Sequence, residues 1–165
     1  MMITLTGFMG SGKTTVGKVL ADFLGCPFMD LDDLIVKKAG KSIPEIFAQD
    51  GEPAFRQLEA RLLRQTVEKY TENTVVLALG GGAVTAPASA ALLHEKSVCI
   101  YLRATLETLL ARLEGETAGR PLADASLADC LAAREPLYEE TAHVIIDTDG
   151  LTPEEVADEI IISSL

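Results

Sequence analysis

The glycine-rich segment at residues 7–14 is the part of the sequence whose residue types and spacing most clearly indicate chemistry. It reads Gly-Phe-Met-Gly-Ser-Gly-Lys-Thr, which matches the phosphate-binding pattern G-x-x-x-x-G-K-[ST]. In such a loop, backbone N–H groups point at phosphate oxygens, and the helix that follows adds its positive end. The pattern predicts that Lys13 reaches the β- and γ-phosphates and that the Thr14 hydroxyl group binds Mg²⁺. We therefore expect the chain to bind a nucleoside triphosphate, with a phosphate cradle formed by Gly10, Ser11, Gly12, Lys13, Thr14 and Thr15.

Two aspartates, Asp30 and Asp32, follow the segment that is predicted to form the second strand. Residues two apart at a strand end point the same way, so these carboxylates should lie together at the carboxyl edge of a parallel sheet. Beside Mg²⁺ and ATP, one would hold the metal ion through water and the other would accept a hydrogen bond from an attacking hydroxyl group. The alternative is a cluster that caps the next helix, a role that Asp32 or Asp33 could also take.

Two arginines are candidates for binding an anionic substrate. Arg56 and Glu59 are three residues apart in a predicted helix at about 53–70, so their side chains can pair. Taken alone, this pattern favours an exposed ion pair that contributes little to stability. The functional alternative is that Glu59 holds the planar guanidinium group of Arg56 ready for a carboxylate or phosphate. Arg134 precedes Pro136, which should interrupt a helix, so Arg134 is expected at a helix break.

Three consecutive glycines, Gly80, Gly81 and Gly82, directly follow the third apolar run. A common ATPase would carry an aspartate near this strand end to manage Mg²⁺. Glycines instead let a ligand approach the backbone and offer bare N–H donors, although a tight turn is the simpler alternative. The metal ion is then left to Thr14 and the pair formed by Asp30 and Asp32.

The polar segment 114–124 contains two glycines and one proline and lacks a strong apolar periodicity. It is either an ordinary surface loop or a mobile lid, at about 113–125, that brings Arg120 onto the phosphates. Closure of such a lid would exclude water and add positive charge where the phosphates lie.

The elements that must position these residues follow from the apolar pattern. Four short runs rich in aliphatic residues are typical of strands buried on both faces of a parallel sheet: 3–5, 75–79, 98–102 and 144–146. Residues 27–30 are a weaker fifth candidate, and helical segments lie between the runs. This alternation predicts an α/β fold, a three-layer α/β/α sandwich with a five-stranded parallel sheet. Capping-box patterns at 42–45 and 152–155 predict two helix starts.

Bulk composition restricts the classes of function. The 165 residues predict a single domain, 1–165, and a net charge of −11 argues against a nucleic-acid partner. No apolar run approaches the roughly 18 residues of a membrane helix, and the N-terminus leaves no room for a signal peptide. The three cysteines lack metal-binding spacing and favour a reducing compartment. We therefore expect a cytoplasmic protein that does not bind membranes.

Together these segments closely resemble shikimate kinase, a family of small P-loop kinases of the nucleoside-monophosphate-kinase type. The matching pieces, in order, are GFMGSGKTTVG at 7–17, DLD at 30–32, FRxLE at 55–59, GGG at 80–82, RPL at 120–122 and REPLYxE at 134–140. They span nearly the whole chain. The resemblance implies a P-loop NTPase fold and a monomer that transfers the γ-phosphate of ATP to the 3-hydroxyl group of shikimate.

The resemblance also implies a role for each matching residue. Asp32 would contact the acceptor hydroxyl as base or orienter, and Asp30 would help to hold Mg²⁺ through water. In the substrate-binding segment at about 31–62, Arg56 would be steadied by Glu59 and would clamp the shikimate carboxylate together with Arg134. Gly80, Gly81 and Gly82 would line the same pocket, and Arg120 would close with the lid onto the phosphates. Arg112 and the loop 147–153 with Pro153 would border the adenine, although Arg112 could instead be an ordinary residue of a helix surface.

Other functions are also compatible with parts of the sequence. A gluconate or similar small-hydroxyacid kinase would share the P-loop but should lack the combined FRxLE, GGG and REPLY pattern. A nucleoside-monophosphate kinase would need an additional base-binding segment and more lid arginines. A GTP-driven switch would carry an NKxD motif, which is absent. A non-catalytic ATP-binding regulator should have lost Lys13, Asp32 or Arg56.

Overall fold

The computed structural model describes residues 1–116 and 124–164. Five parallel strands form one sheet in the order β2-β3-β1-β4-β5: β1 Met2–Thr6, β2 Phe28–Asp30, β3 Val75–Ala78, β4 Val98–Arg103 and β5 Val144–Asp147. The helices are α1 Lys13–Leu24, α2 Leu31–Ala39, α3 Ile43–Asp50, α4 Glu52–Lys69, α5 Pro87–Lys96, α6 Leu106–Glu116, α7 Asp124–Thr141 and α8 Pro153–Ser164. The predicted α/β fold with a five-stranded parallel sheet is confirmed.

Apolar cores cover both faces of this sheet. Neighbouring residues of a strand point to opposite faces, so Val75 and Leu77 of β3 join one core while Val76 joins the other. The first core is closed mainly by α2, α4, α5 and α7, and the second by α1 and α8. Burial on both faces explains why the strand sequences are continuously apolar rather than alternating.

The chain order places a crevice at the carboxyl end of the central strand. β1 lies between β3 and β4, and the chain leaves β1 toward the β2 side before crossing to β4 and β5. Parallel α/β sheets bind ligands outside the carboxyl ends of their strands where the strand order reverses. The segments that follow β1, β2 and β3 therefore meet in one place, and they carry the phosphate loop, Asp32 and the three glycines. The two candidate arginines, Arg56 and Arg134, come from α4 and α7.

Two helix starts agree with their predicted capping boxes. Ser42 accepts a hydrogen bond from the Glu45 N–H, and the Glu45 carboxylate accepts one from the Ser42 N–H. Thr152 and Glu155 form the same reciprocal pair before α8. Each box satisfies backbone donors that the first turn of a helix leaves without partners.

The prediction that Pro136 interrupts a helix was wrong. Helix α7 is continuous from Asp124 to Thr141 with Pro136 inside it. Proline removes one backbone hydrogen bond from the helix, but packing can hold the helix together across that position. Tyr138 and Leu131, on either side of the proline, are both buried in the core. Arg134 therefore lies within a regular helix rather than at a helix end.

The predicted lid at about 113–125 overlaps the ends of two helices. Helix α6 extends to Glu116 and α7 begins at Asp124. Arg120 falls among residues 117–123, outside the described part of the chain, so its proposed role stays a prediction. Within residues 1–116 and 124–164, no helix combines the length and apolar character needed to cross a membrane.

Candidate active site

The loop after β1 is shaped by glycine backbone conformations. Gly7 has a φ of 150°, and a Cβ atom there would lie only 2.7 Å from the Leu102 carbonyl oxygen. Gly12, which immediately precedes α1, has a φ of 93°, a value that residues with a side chain rarely adopt. The first turn of α1 contains no acidic residue, so its positive end is not neutralised by its own helix. The loop and helix together form an anion-binding geometry.

The Lys13 side chain folds back over this loop. Its Nζ atom donates hydrogen bonds to the Gly7 carbonyl at 2.7 Å and to the Phe8 carbonyl at 3.0 Å. Burial lowers the pKa of Lys13 to about 8, an effect opposed by the nearby carboxylates of Asp32 and Asp30. An anion in the loop would favour the charged ammonium form, so the site is electrostatically suited to phosphate.

A cavity of about 380 Å³ lies beside the phosphate loop and the start of α1. Its volume is in the range typical of small-molecule sites. The predicted adenine-side residues Arg112 and Pro153 both line it, and Arg112 Nη1 donates a hydrogen bond to the Gly10 carbonyl at 3.1 Å. The remaining wall includes the phosphate-loop residues and four further side chains: Val16, Thr148, Leu151 and Val156. Val16 and Val156 were not predicted, because their periodic spacing marks them only as core residues.

Asp30, the last residue of β2, links the first turns of α1 and α2. Its Oδ1 atom accepts a hydrogen bond from the Asp32 N–H at 2.9 Å, and its Oδ2 atom accepts one from the Thr14 hydroxyl at 2.9 Å. Asp30 is thus the N-cap of α2, which begins at Leu31. The expectation that Asp30 and Asp32 share a strand face was wrong, because Asp32 lies in the first helical turn. The capping alternative is confirmed: Asp30 is the cap, and Asp32 and Asp33 lie in the first turn of α2, where carboxylates stabilise the helix dipole.

Thr14 and Asp30 fit a hard cation such as Mg²⁺ chemically. Both present oxygen atoms at the mouth of the phosphate loop, and their hydrogen bond keeps those atoms together. Mg²⁺ prefers oxygen ligands and usually retains several waters alongside phosphate oxygens. Among the described residues, no group of three or more His, Cys, Asp or Glu could hold a metal ion. An ion here would therefore depend on phosphate and water for most of its ligands.

Asp32 and Glu59 bring two carboxylates to the first glycine after β3. A Cβ atom on Gly80 would lie 3.0 Å from Asp32 Oδ1 and 3.0 Å from Glu59 Oε2. Burial raises the pKa of Asp32, the neighbouring Asp30 carboxylate raises it further, and the Lys13 ammonium group opposes both. A carboxylate with a raised pKa is a better proton acceptor than an ordinary aspartate.

Arg56 is held in a partly buried ion pair. Its Nη1 atom donates to Glu59 Oε1 at 2.9 Å, and its guanidinium group lies 5.1 Å from the centre of the Phe55 ring. The Glu59 side chain is only 4% exposed, and burial raises its pKa. The interpretation as an exposed surface pair was therefore wrong. Glu59 Oε2 has no hydrogen-bond partner among the described residues, so the pair retains an unused acceptor.

The glycines after β3 lie against two different arginines. A Cβ atom on Gly82 would overlap the guanidinium group of Arg56, whereas one on Gly81 would lie 3.5 Å from Arg134 Nη1. The Arg134 guanidinium also lies 5.9 Å from the centre of the Phe8 ring. Because adjacent Cα atoms are about 3.8 Å apart, this loop brings both cations to one small region. Two guanidinium groups beside bare backbone can bind a planar anion such as a carboxylate.

Comparisons with known proteins give matches over nearly the whole chain. A family model described as shikimate kinase matches residues 9–164. The shikimate kinase of Enterococcus faecalis is 43% identical over 164 residues, which cover 96% of this chain and 95% of that protein. That of Geobacter sulfurreducens is 46% identical over 163 residues, covering 96% and 87%. The solved structure of shikimate kinase from Acinetobacter baumannii in complex with shikimate has a TM-score of 0.88 at 36% identity, covering 97% of this chain and 90% of that one.

Proposed function

Because the chain belongs to the shikimate kinase family, we propose that it transfers the γ-phosphoryl group of ATP to the 3-hydroxyl group of shikimate. The products would be shikimate 3-phosphate and ADP. The observation that carries this proposal is the convergence of a phosphate loop, a carboxylate and two arginines on one crevice. Lys13 and Arg56 both interact electrostatically with Asp32, so the phosphate side and the acceptor side meet at that carboxylate.

ATP would bind with its phosphates in the loop after β1 and its adenine in the adjoining cavity. The support is the set of N–H groups at the start of α1 and the 380 Å³ space beyond them. Lys13 would exchange its carbonyl partners, Gly7 and Phe8, for phosphate oxygens. Arg112 and Pro153 would border the adenine, and Arg120 would complete the phosphate contacts from the lid at about 113–125.

Shikimate would bind through its carboxylate to Arg56 and Arg134. Glu59 would keep the Arg56 guanidinium in place. The three glycines 80–82 would let the hydroxylated cyclohexene ring of shikimate approach the backbone. This orientation would leave a ring hydroxyl group for Asp32. The carboxylate of Asp32 would accept the hydroxyl hydrogen bond, orient the oxygen toward phosphorus and take its proton as the new bond forms.

Thr14 and Asp30 would hold Mg²⁺, Thr14 directly and Asp30 through water. The bound ion would offset the negative charge of the β- and γ-phosphates. Thr14 and Asp30 are already joined by a hydrogen bond of 2.9 Å, so the oxygen atoms needed for such an ion are close together before it binds. We further propose a cytoplasmic monomer whose partners are its two small-molecule substrates, with no role for nucleic acid or membranes.

Replacing Arg56 with lysine should weaken acceptor binding. Lysine would keep a positive charge beside Glu59 but lose the planar fork that meets a carboxylate with two hydrogen bonds. We expect the KM for shikimate to rise about 10-fold or more, as for loss of one charged hydrogen bond of about 1.5–3 kcal/mol. Steady-state kinetics would measure it, with Arg61→Lys on the exposed side of α4 as the control. An unchanged KM would remove Arg56 from the acceptor site.

Gly82→Ala should disturb the same contact from the other side. The added methyl group would overlap the Arg56 guanidinium, and the arginine would have to leave its position beside Glu59. Gly82 has a φ of −108°, which alanine can adopt, so the loop itself should keep its shape. We expect a KM for shikimate about 10-fold higher, measured by steady-state kinetics. Gly81→Ala, with ordinary contact to Arg134, should have a smaller effect, and equal effects would contradict this explanation.

The proposed function is tested by acceptor-dependent ADP release. Purified protein with Mg²⁺ and ATP would be assayed in parallel with shikimate, with gluconate and without acceptor. We expect turnover with shikimate at roughly 1–100 s⁻¹, the usual range for kinases, and only background release in the other two arms. Turnover with gluconate would favour a different small-hydroxyacid kinase. ATP binding without any acceptor-dependent turnover would favour a regulator that binds ATP.

A further inference from the structure

Tyr138 is a fully buried residue on the inner side of α7. Its exposed fraction is 0%, and its ring packs against Tyr101 of β4 with 5.0 Å between ring centres. It follows Arg134 by four residues, so both side chains lie on the same face of the helix. Pro136 between them does not break α7, and the spacing of the two side chains is therefore that of a regular helix.

The Tyr138 hydroxyl group lies close both to the glycine loop after β3 and to Arg134. It donates a hydrogen bond to the carbonyl oxygen of Gly81. Burial raises the pKa of Tyr138 to about 12, and the nearby Arg134 guanidinium opposes this rise. The hydroxyl therefore keeps its proton near neutral pH and remains a donor. It contacts the glycine loop and approaches Arg134 at the same time.

The contact to Gly81 also determines the direction of the next backbone donor. The peptide bond between Gly81 and Gly82 is planar and trans, so its carbonyl oxygen and its N–H point in opposite directions. Because the Gly81 carbonyl points toward the Tyr138 hydroxyl group, the Gly82 N–H must point away from Tyr138. Glycine peptides otherwise rotate easily, because no Cβ atom restricts them. A hydrogen bond from the Ala83 N–H to the Gly80 carbonyl closes this turn, and the Tyr138 hydroxyl group adds the contact that fixes the orientation of its central peptide.

We propose that Tyr138 is a positioning residue for the acceptor carboxylate. Its hydroxyl group holds the Gly81–Gly82 peptide and the Arg134 guanidinium in one arrangement, so that both meet the same carboxylate. Tyr138 does not touch the reacting atoms and acts through Gly81 and Arg134. This inference rests on the proposed function, and it adds a residue that determines specificity for a carboxylated acceptor.

The test is the Tyr138→Phe variant assayed with shikimate and with its neutral methyl ester. Phenylalanine keeps the ring that packs on Tyr101 and removes only the hydroxyl group. We expect the KM for shikimate to rise about 10-fold, while kcat and the KM for ATP stay near wild-type values. The preference of the enzyme for the acid over the ester, measured as a ratio of kcat/KM values, should fall by a similar factor.

Two comparisons separate positioning from a general loss of packing. Tyr101→Phe removes a hydroxyl group from the other ring of the pair and should leave the KM for shikimate unchanged. Equal losses of activity toward acid and ester, or an unchanged KM for shikimate in Tyr138→Phe, would overturn the inference. Wild-type protein that fails to phosphorylate shikimate would instead overturn the proposed function, and the inference with it. Thermal melting of each variant would verify that the fold is kept.

Discussion

Replacing Asp32 with asparagine is expected to lower kcat for shikimate phosphorylation by about 10²–10⁴-fold. The amide is nearly the same size as the carboxylate but cannot accept the proton of the attacking hydroxyl group. The substitution should therefore slow the chemical step, while the KM for ATP changes little. Burial and the neighbouring Asp30 raise the pKa of the Asp32 carboxyl group, which means that the fold disfavours its charged form. Replacing it with a neutral amide should therefore cause no loss of thermal stability.

Asp33→Asn is the matched control for this experiment. Asp33 is the next residue on α2, its side chain is exposed, and the same charge is removed. We expect its kcat to remain within about 2-fold of the wild-type value, as for surface substitutions that change free energies by less than about 0.5 kcal/mol. Near-normal turnover by Asp32→Asn would transfer the role of hydroxyl orientation to another group. A comparable loss in both variants would indicate a general effect of charge.

Lys13→Met should lower kcat by about 10²–10³-fold, the range seen when one preorganised electrostatic group is removed from a transition state. Methionine retains much of the length of the lysine side chain but cannot stabilise charge on the transferring phosphoryl group. Lys18→Met is the control, because Lys18 is exposed on the same helix, α1. Rapid-quench measurement of a single turnover would assign the loss to the chemical step.

The same Lys13→Met variant has an expected effect on stability that is opposite in sign. Burial lowers the pKa of Lys13 to about 8, so the folded protein disfavours the charged form that the unfolded chain carries at neutral pH. Replacing this ammonium group with an apolar side chain should leave the melting temperature of the ATP-free protein equal or higher. A clear decrease would mean that the bonds to Gly7 and Phe8 stabilise the fold more than burial of the charge destabilises it.

Much of the fold was predictable because the responsible signals are local. Strands buried on both faces are continuously apolar, and the capping boxes before α3 and α8 mark helix starts by side-chain chemistry. The phosphate loop was predictable from the spacing of its glycines and one lysine. Each of these features depends on residues close together in the sequence, so periodicity and spacing are sufficient to identify them.

The errors occurred where packing between distant residues decides the structure. Pro136 predicts a helix break from local propensity, but α7 continues because residues on both sides of it are buried. The Arg56–Glu59 spacing is equally compatible with an exposed pair, and only the fold buries Glu59. Tyr138 reads as a core residue in the sequence, since nothing local indicates that its hydroxyl reaches Gly81, 57 positions away. Such contacts follow from topology and not from the residues beside them.

The position of the phosphate in the product tests directly whether the 3-hydroxyl group of shikimate is the acceptor. Wild-type protein would be incubated with shikimate and Mg·ATP, and the product examined by phosphorus–proton correlation NMR. We expect a single new monophosphate whose phosphorus couples to the ring proton at carbon 3, formed together with one equivalent of ADP. Coupling to the proton at carbon 4 or 5, or ADP formation without any phosphorylated shikimate, would contradict the placement of the acceptor between Asp32, Arg56 and Arg134.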